Sequence, residues 1–175
     1  MKQRLLIIGA GGHARVVAET ALLEEKYELV GFIDDYVAIG TVILRDYKVL
    51  AALQNIDRLE FDVFIVAVGK NSVRKNIYDF LKQKYEPALV IHPQSVISPF
   101  AHIAKGCVVL ANAVISFGAS VDENTIINSS SLVDHESAIG KHCHVAQGAL
   151  IGSNCVLPEL SELKLGERVF SYSQY

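Results

Sequence analysis

The chain has 175 residues, 51% of them hydrophobic, and a formal net charge of −3. That is room for one domain or two small ones, without the basic surplus that marks a nucleic-acid partner. The first apolar run, Leu5 to Gly9, is too short for a secretory leader, and no stretch is long enough to span a bilayer, so a cytoplasmic protein with no membrane insertion is expected.

Residues 4–8 read as a buried strand, Gly9 to His13 as a tight glycine turn, and residues 14–25 as a helix. Val16, Val17, Thr20, Ala21 and Leu23 are expected on or near its inner face. Strand, glycine turn and helix together offer free backbone N–H groups to a phosphate. Leu29 to Ile33 reads as a second strand ending at Asp34 and Asp35, and Asp62 to Val68 as another ending at Gly69-Lys70-Asn71. A helix over residues 72–84 follows, with Arg74 and Lys75 in its first turns. Alternating strands and helices predict a small parallel sheet with ligand groups at the strand C-termini. This α/β, half-Rossmann-like domain is expected over residues 1–86, with Pro87 at the joint.

Gly9-x-Gly11-x-x-Ala14, with Asp34 placed 20 residues after Ala14, fits the permissive dinucleotide fingerprint. The sheet has room for only about half of a double mononucleotide fold. The reading preferred over nicotinamide is therefore a nucleotide or nucleotide-linked substrate, bordered by His13, Asp34 and Asp35. The bland alternative is a glycine turn with a helix-capping histidine.

From Ile91 to Leu157 every sixth residue is aliphatic: Ile91, Ile97, Ile103, Val109, Ile115, Val121, Ile127, Val133, Ile139, Val145, Ile151, Leu157. At the chain's hydrophobic content, chance gives such a run in one register with odds of roughly 3 in 10,000. Four places after each aliphatic stands a small residue, from Ser95 through Cys107 and Ala113 to Cys155. A period of six suits neither a helix nor a flat strand; it suits a solenoid of short strands stacking coil on coil. All three cysteines hold the small inward position and read as core filler. After Leu157 the register is expected to slip, and the usual final coils of such a solenoid to be shortened.

Side chains alternate along a strand, so the residue between each inward pair faces out. Three sides follow: Val96, Val114, Leu132 and Leu150; Val90, Val108, Ile126 and His144; His102, Ser120, Ala138 and Val156. Two are greasy, which predicts two different subunit contacts closing into a ring, most simply a homotrimer. The corners read from Gly106, Asn112, Gly118, Asn124, Gly148 and Asn154, residues that accept left-handed backbone angles. Glu136 and His142 break that rule beside Asp134, His135 and His144, and a local rule tends to fail where function sits.

A glycine-turn domain joined to a six-residue-repeat solenoid carrying Asp134-His135-Glu136-x-x-Ile139-Gly140 and His144-Val145-Ala146-Gln147-Gly148-Ala149 resembles the bacterial sugar O-/N-acyltransferase family. That family includes sialic acid O-acetyltransferases and N-acetyltransferases of UDP-linked 4-amino-4,6-dideoxy sugars. The resemblance implies a left-handed parallel β-helix over residues 87–175, a homotrimer, acetyl-CoA as co-substrate, no metal, a nucleotide-sugar acceptor and a place in polysaccharide biosynthesis. It implies His135 as the catalytic histidine, Glu136 as its acid, and His144 with Gly148 at the acyl and coenzyme end. It places the nucleotide-sugar at Gly11, Gly12, His13, Asp34, Asp35, Gly69, Lys70, Asn71 and Arg74.

The chemistry stands without the family. An acceptor amine or hydroxyl loses a proton as it attacks a thioester, and an imidazole such as that of His135 can take it. A neighbouring carboxylate, Glu136 or Asp134, would orient the ring, and His144 or a corner N–H could stabilise the oxyanion. His135 and His144 are half an 18-residue coil apart, so they could meet across a subunit boundary. His92, His102 and His142 read as surface or interface residues. Two other readings compete. One is a three-histidine metal site drawn from His102, His135, His142 and His144. The other is a non-catalytic sugar-nucleotide binder or assembly protein that has lost its last coils.

Overall fold

The structure, a computed structural model, describes residues 2–170; Met1 and residues 171–175, at the outer ends of the two expected domains, lie outside the described residues. The first half holds β1 (Gln3–Ile8), α1 (Gly12–Glu24), β2 (Tyr27–Ile33), β3 (Val42–Leu44), β4 (Tyr47–Ala51), a 3-10 turn (Leu53–Arg58), β5 (Val63–Val66), α2 (Asn71–Leu81) and β6 (Glu86–Pro87). They form one sheet in the order β3-β4-β2-β1-β5-β6, parallel except for the β3–β4 pair. Strand β1 is central and covered on both faces, which is why it reads as an unbroken apolar run. Leu5 and Ile7 pack with Ala14, Val17 and Ala18 of α1. Leu6 and Ile8 pack with Phe64, Tyr78 and Leu81 on the other face. The strand order reverses at β1, so the crevice at the strand C-termini is the expected place for a ligand.

Helix α1 begins at Gly12, and the face it buries is Ala14, Val17, Ala18, Thr20 and Ala21. Val16 and Leu23, expected inward, are exposed. The alanines explain the difference: small residues let the helix settle closely onto β1 and onto Val90. The β3–β4 hairpin and the 3-10 turn carry no strong periodicity in the sequence.

Val90–Ile91 opens a left-handed β-helix of two-residue strands, one every six residues, running to Arg168–Val169. The strands stack in three parallel ladders; in the first, Val109 pairs with Ile91 below and Ile127 above. The aliphatic series from Val109 to Leu163 fills the interior together with Cys107, Ala113, Ala119, Cys143, Ala149 and Cys155. Each of the aliphatic Val, Ile and Leu side chains contributes about 1.5–3 kcal/mol by leaving water. Thr125 and Ser137 take the small position with buried hydroxyls that donate to the carbonyls of Gly140 (2.9 Å) and Gly152 (2.7 Å). All three cysteines are free and buried.

The register does not slip after Leu157. Leu163 and Val169 keep the six-residue step, and their strands pair with His144–Val145 and Leu150–Ile151. Polar residues around these two aliphatics mask the repeat in the sequence. Every sixth residue from Gly106 to Gly166 has positive φ, including Glu136 (φ 57°) and His142 (φ 59°). The corner geometry is therefore imposed by the coil, and these two residues accept the strain that Gly or Asn would avoid.

The two greasy sides have different fates. Val90, Val108 and Leu110 join the core of the first domain, under α1, β1 and β5. That side is covered by the chain's own first half and is not a free subunit contact. Tyr27 Oη donates to the Leu89 carbonyl (2.8 Å), and a Cβ on Gly106 would fall 2.4 Å from the Tyr78 ring, so the two halves meet too closely for any other residue there. The side with Val96, Val114, Leu132 and Leu150 stays partly open, and Val96 is 64% exposed.

Candidate active site

A cavity of about 420 Å³ lies at the C-terminal edge of the first sheet, where the strand order reverses. Gly11, Gly12, His13, Asp34, Asp35 and Gly69 line it, together with Tyr36, Leu53, Val73 and Ile77. Gly9 begins the turn at φ 112°, and a Cβ there would meet the Ala67 carbonyl oxygen at 2.9 Å, so only glycine lets β1 turn over β5. A Cβ on Gly11 or Gly12 would meet nothing, so these two open the backbone toward the cavity.

Both acids shape the cavity through backbone bonds. Asp34 accepts from the N–H groups of Ala10 (2.8 Å), Tyr36 (2.8 Å) and Val37 (3.0 Å), tying the glycine turn to the segment after β2. Asp35 accepts from Leu53 N (2.7 Å), which fixes the start of the 3-10 turn. Asp34 thus braces the glycine turn while keeping acceptor capacity on Oδ2, which takes only the Ala10 N–H.

Three residues expected at the substrate lie elsewhere. Lys70 precedes α2, is exposed, and does not line the cavity. Asn71 is buried and donates to the carbonyls of Leu160 and Ser161, both at 3.0 Å. Arg74 is 1% exposed. Its guanidinium donates to the carbonyls of Val68 and Gly69 in the cavity turn, to Asn71 Oδ1, and to the carbonyls of Asn124, His142 and Cys143 in the β-helix. Burial pulls its pKa down to about 10. Such a side chain has no donor left for a ligand; Asn71 and Arg74 staple the halves together.

His13, at the start of α1, faces the β-helix, with its ring centroid 6.4 Å from that of His144. Burial, then the neighbouring His144 and Arg74, lower the His13 pKa to about 4. Burial and Arg74 also lower that of His144, against an opposite pull from Glu162. Asn128, a residue missed in the sequence, is buried and holds His144 Nε2 through Nδ2 at 3.1 Å. With the amide donating, the neutral ring carries its proton on Nδ1. The available signal was an Asn directly after the Ile126–Ile127 strand, whose Ile126 pairs with His144 in the next coil.

His135 and Glu136 sit on a corner, their side chains half exposed, with Nδ1 and Oε2 3.6 Å apart. That is ion-pair reach and beyond a hydrogen bond. Asp134 is committed to the His135 backbone N–H (2.7 Å), so Glu136 is the acid left to orient the ring. The corner joins the side of Leu132–Val133 to the side of Ala138–Ile139. In a three-sided prism it lies opposite the side covered by the first domain, and His135 does not line that domain's cavity. Gly148 makes another corner at φ 65°, with open space where a Cβ would be. His142, expected at the surface, is buried with Nδ1 2.8 Å from Asn124 Nδ2. His92 is buried too, while His102 is exposed. Among the described residues no three His, Cys, Asp or Glu side chains gather as a metal would require.

The chain thus joins a cavity on an α/β domain to a left-handed β-helix that carries a histidine–carboxylate pair at its corner. Residues 4–81 match the PglD N-terminal domain. The chain is 32% identical over 112 residues to the UDP-N-acetylbacillosamine N-acetyltransferase of Bacillus subtilis; the match covers 62% of this chain and 52% of the relative, about half its length. Over 98% of both chains it superposes on the acetyltransferase domain of PglB from Neisseria gonorrhoeae, with 26% identity and a TM-score of 0.78. The same domain in complex with acetyl coenzyme A matches with 27% identity and a TM-score of 0.73, over 98% of this chain and 97% of that one. PerB from Caulobacter crescentus, solved with CoA and GDP-perosamine, shares the fold at 23% identity and a TM-score of 0.78, over 95% of this chain and 82% of its own. Across both halves the chain is thus similar to bacterial acetyltransferases, one of them named for an amino-sugar nucleotide.

Proposed function

We propose that the protein moves an acetyl group from acetyl-CoA to an amine on a nucleotide-linked sugar, within a homotrimer. The observation that carries this reading is the presence, in one chain, of a nucleotide-sized cavity at a glycine turn and an exposed His135–Glu136 pair on a hexapeptide corner. The relatives' names support the donor and the acceptor class: one acts on a UDP-linked amino sugar, and another was solved with acetyl coenzyme A.

The cavity holds the nucleotide, with the diphosphate on the N–H groups of the glycine turn and the start of α1. The sugar amine is presented to His135, which takes its proton as nitrogen attacks the thioester carbonyl; the thiolate of coenzyme A leaves. Glu136 orients the imidazole and stabilises its cation. His144 and the open corner at Gly148 serve the acyl and coenzyme end. Because His135 lies on the edge opposite its own cavity, the histidine that serves a given cavity comes from a neighbouring copy. A mixing experiment tests this. Gly11→Trp fills the cavity and His135→Ala removes the base, and each alone should be inactive. Co-assembled, they should regain a substantial fraction of wild-type turnover, because some cavities then face an intact His135. A mixture as dead as its parents would refute the shared site.

A further inference from the structure

Among the described residues two buried side-chain polar atoms lack a hydrogen-bond partner, and one is Nε2 of His13. A buried nitrogen left without a partner is costly, and the fold keeps this one in the wall of the cavity at the edge of the first sheet. The residue directly follows the glycine turn. No hydrogen bond joins it to His144, whose Nε2 is already held by Asn128. The charged and titratable groups around it are His144 from the β-helix and Arg74 from α2, with Glu162 next to His144 and Asp34 and Asp35 in the same cavity wall.

We infer that His13 is a proton-linked anchor: a nucleotide diphosphate seated on the glycine turn gives Nε2 its missing partner, and the imidazole takes up a proton from solvent as the ligand binds. The inference rests on the nucleotide reading of the cavity. The physical reason is a change of neighbours. His13 is desolvated beside a second histidine and a guanidinium, all of which disfavour its cation. An anion at hydrogen-bond distance reverses the balance and turns an orphan into a charge-assisted bond. Without ligand the pKa is about 4. A return to the ordinary imidazole value on binding corresponds to uptake of roughly 0.9 proton per ligand at about pH 5.5.

The test is calorimetric titration with UDP-N-acetylglucosamine, a diphosphate diester that lacks the phosphate ionisation at about pH 6, at about pH 5.5 in two non-phosphate buffers of different ionisation enthalpy. The slope of observed heat against buffer enthalpy gives the protons exchanged. The wild type should take up close to one proton. His13→Gln should bind the UDP-sugar more weakly and take up almost none, whereas His144→Gln should keep the uptake. A melting curve of each unliganded variant shows that it is folded, and His13→Asn serves if the glutamine variant is not. A wild-type slope of zero with the UDP-sugar bound sinks the inference and leaves the nucleotide reading standing. Uptake that survives in His13→Gln sinks it too. If the wild type shows neither heat nor a thermal shift with the UDP-sugar, the nucleotide reading falls and takes the inference with it.

Discussion

Arg74 Nε on α2 donates to the backbone carbonyl of Asn124 on the β-helix at 3.0 Å, and this bond begins the buried staple between the two halves. The same guanidinium reaches the Gly69 carbonyl at 2.8 Å, so the cavity turn and the coil before His144 share one side chain. Arg74→Met keeps the length and removes every donor. Several buried carbonyls then lose their partner, at about 1–3 kcal/mol each. A loss of stability on the order of 3–5 kcal/mol is expected, read as a lower urea midpoint. An unchanged midpoint with UDP binding abolished would return Arg74 to the substrate site.

Stability should fall with acid before the carboxylates titrate. His13 has a folded pKa of about 4, below its unfolded value, and burial lowers His142 and His144 in the same direction. Between about pH 6.5 and 4 the unfolded chain therefore binds protons that the native protein refuses, so stability is full above that window and declines as pH drops through it. His13 alone accounts for on the order of 3 kcal/mol at the bottom of the window. Urea midpoints taken across it should slope, and His13→Gln should flatten the slope. Parallel curves for the two proteins would show that His13 is not desolvated.

The open side of the β-helix carries Val96, Val114, Leu132 and Leu150, with Leu132 half-buried in the single chain. Leu132→Glu places a charge where a neighbouring copy would cover it. Light scattering should give three chains for the wild type and a lower mass for the variant. A monomeric wild type would refute the assembly.

The solenoid was legible because its period is set by geometry: each strand contributes one inward aliphatic, and the coil repeats without exception. The cavity was legible through Gly9, Gly11 and Asp34, whose types answer to one backbone path. What the sequence hid depends on contacts between the halves. Arg74 and Asn71 look like ligand groups at the start of a helix, yet both reach carbonyls 50 or more residues away. Val90, Val108 and Ile126 look like a subunit face because nothing local announces that the first domain lies over them. Glu136 and His142 stand out as rule-breakers, yet the coil holds them in the same corner geometry as the glycines; only His135 beside Glu136 keeps the exposure that chemistry needs.

In the proposed reaction His135 takes the proton of a sugar amine as it attacks acetyl-CoA. The direct measurement is thiol release from acetyl-CoA with a UDP-linked amino sugar present, comparing wild type, His135→Ala and Glu136→Gln. The wild type should release thiol in step with acetylated sugar. His135→Ala should lose roughly 10²–10⁴-fold in kcat, the usual contribution of a placed base, with mass and melting temperature unchanged because its side chain is half exposed on a corner. Glu136→Gln should lose less. Equal release by wild type and His135→Ala would contradict the account, and a wild type that binds UDP-sugar but never releases thiol would make the protein a binder.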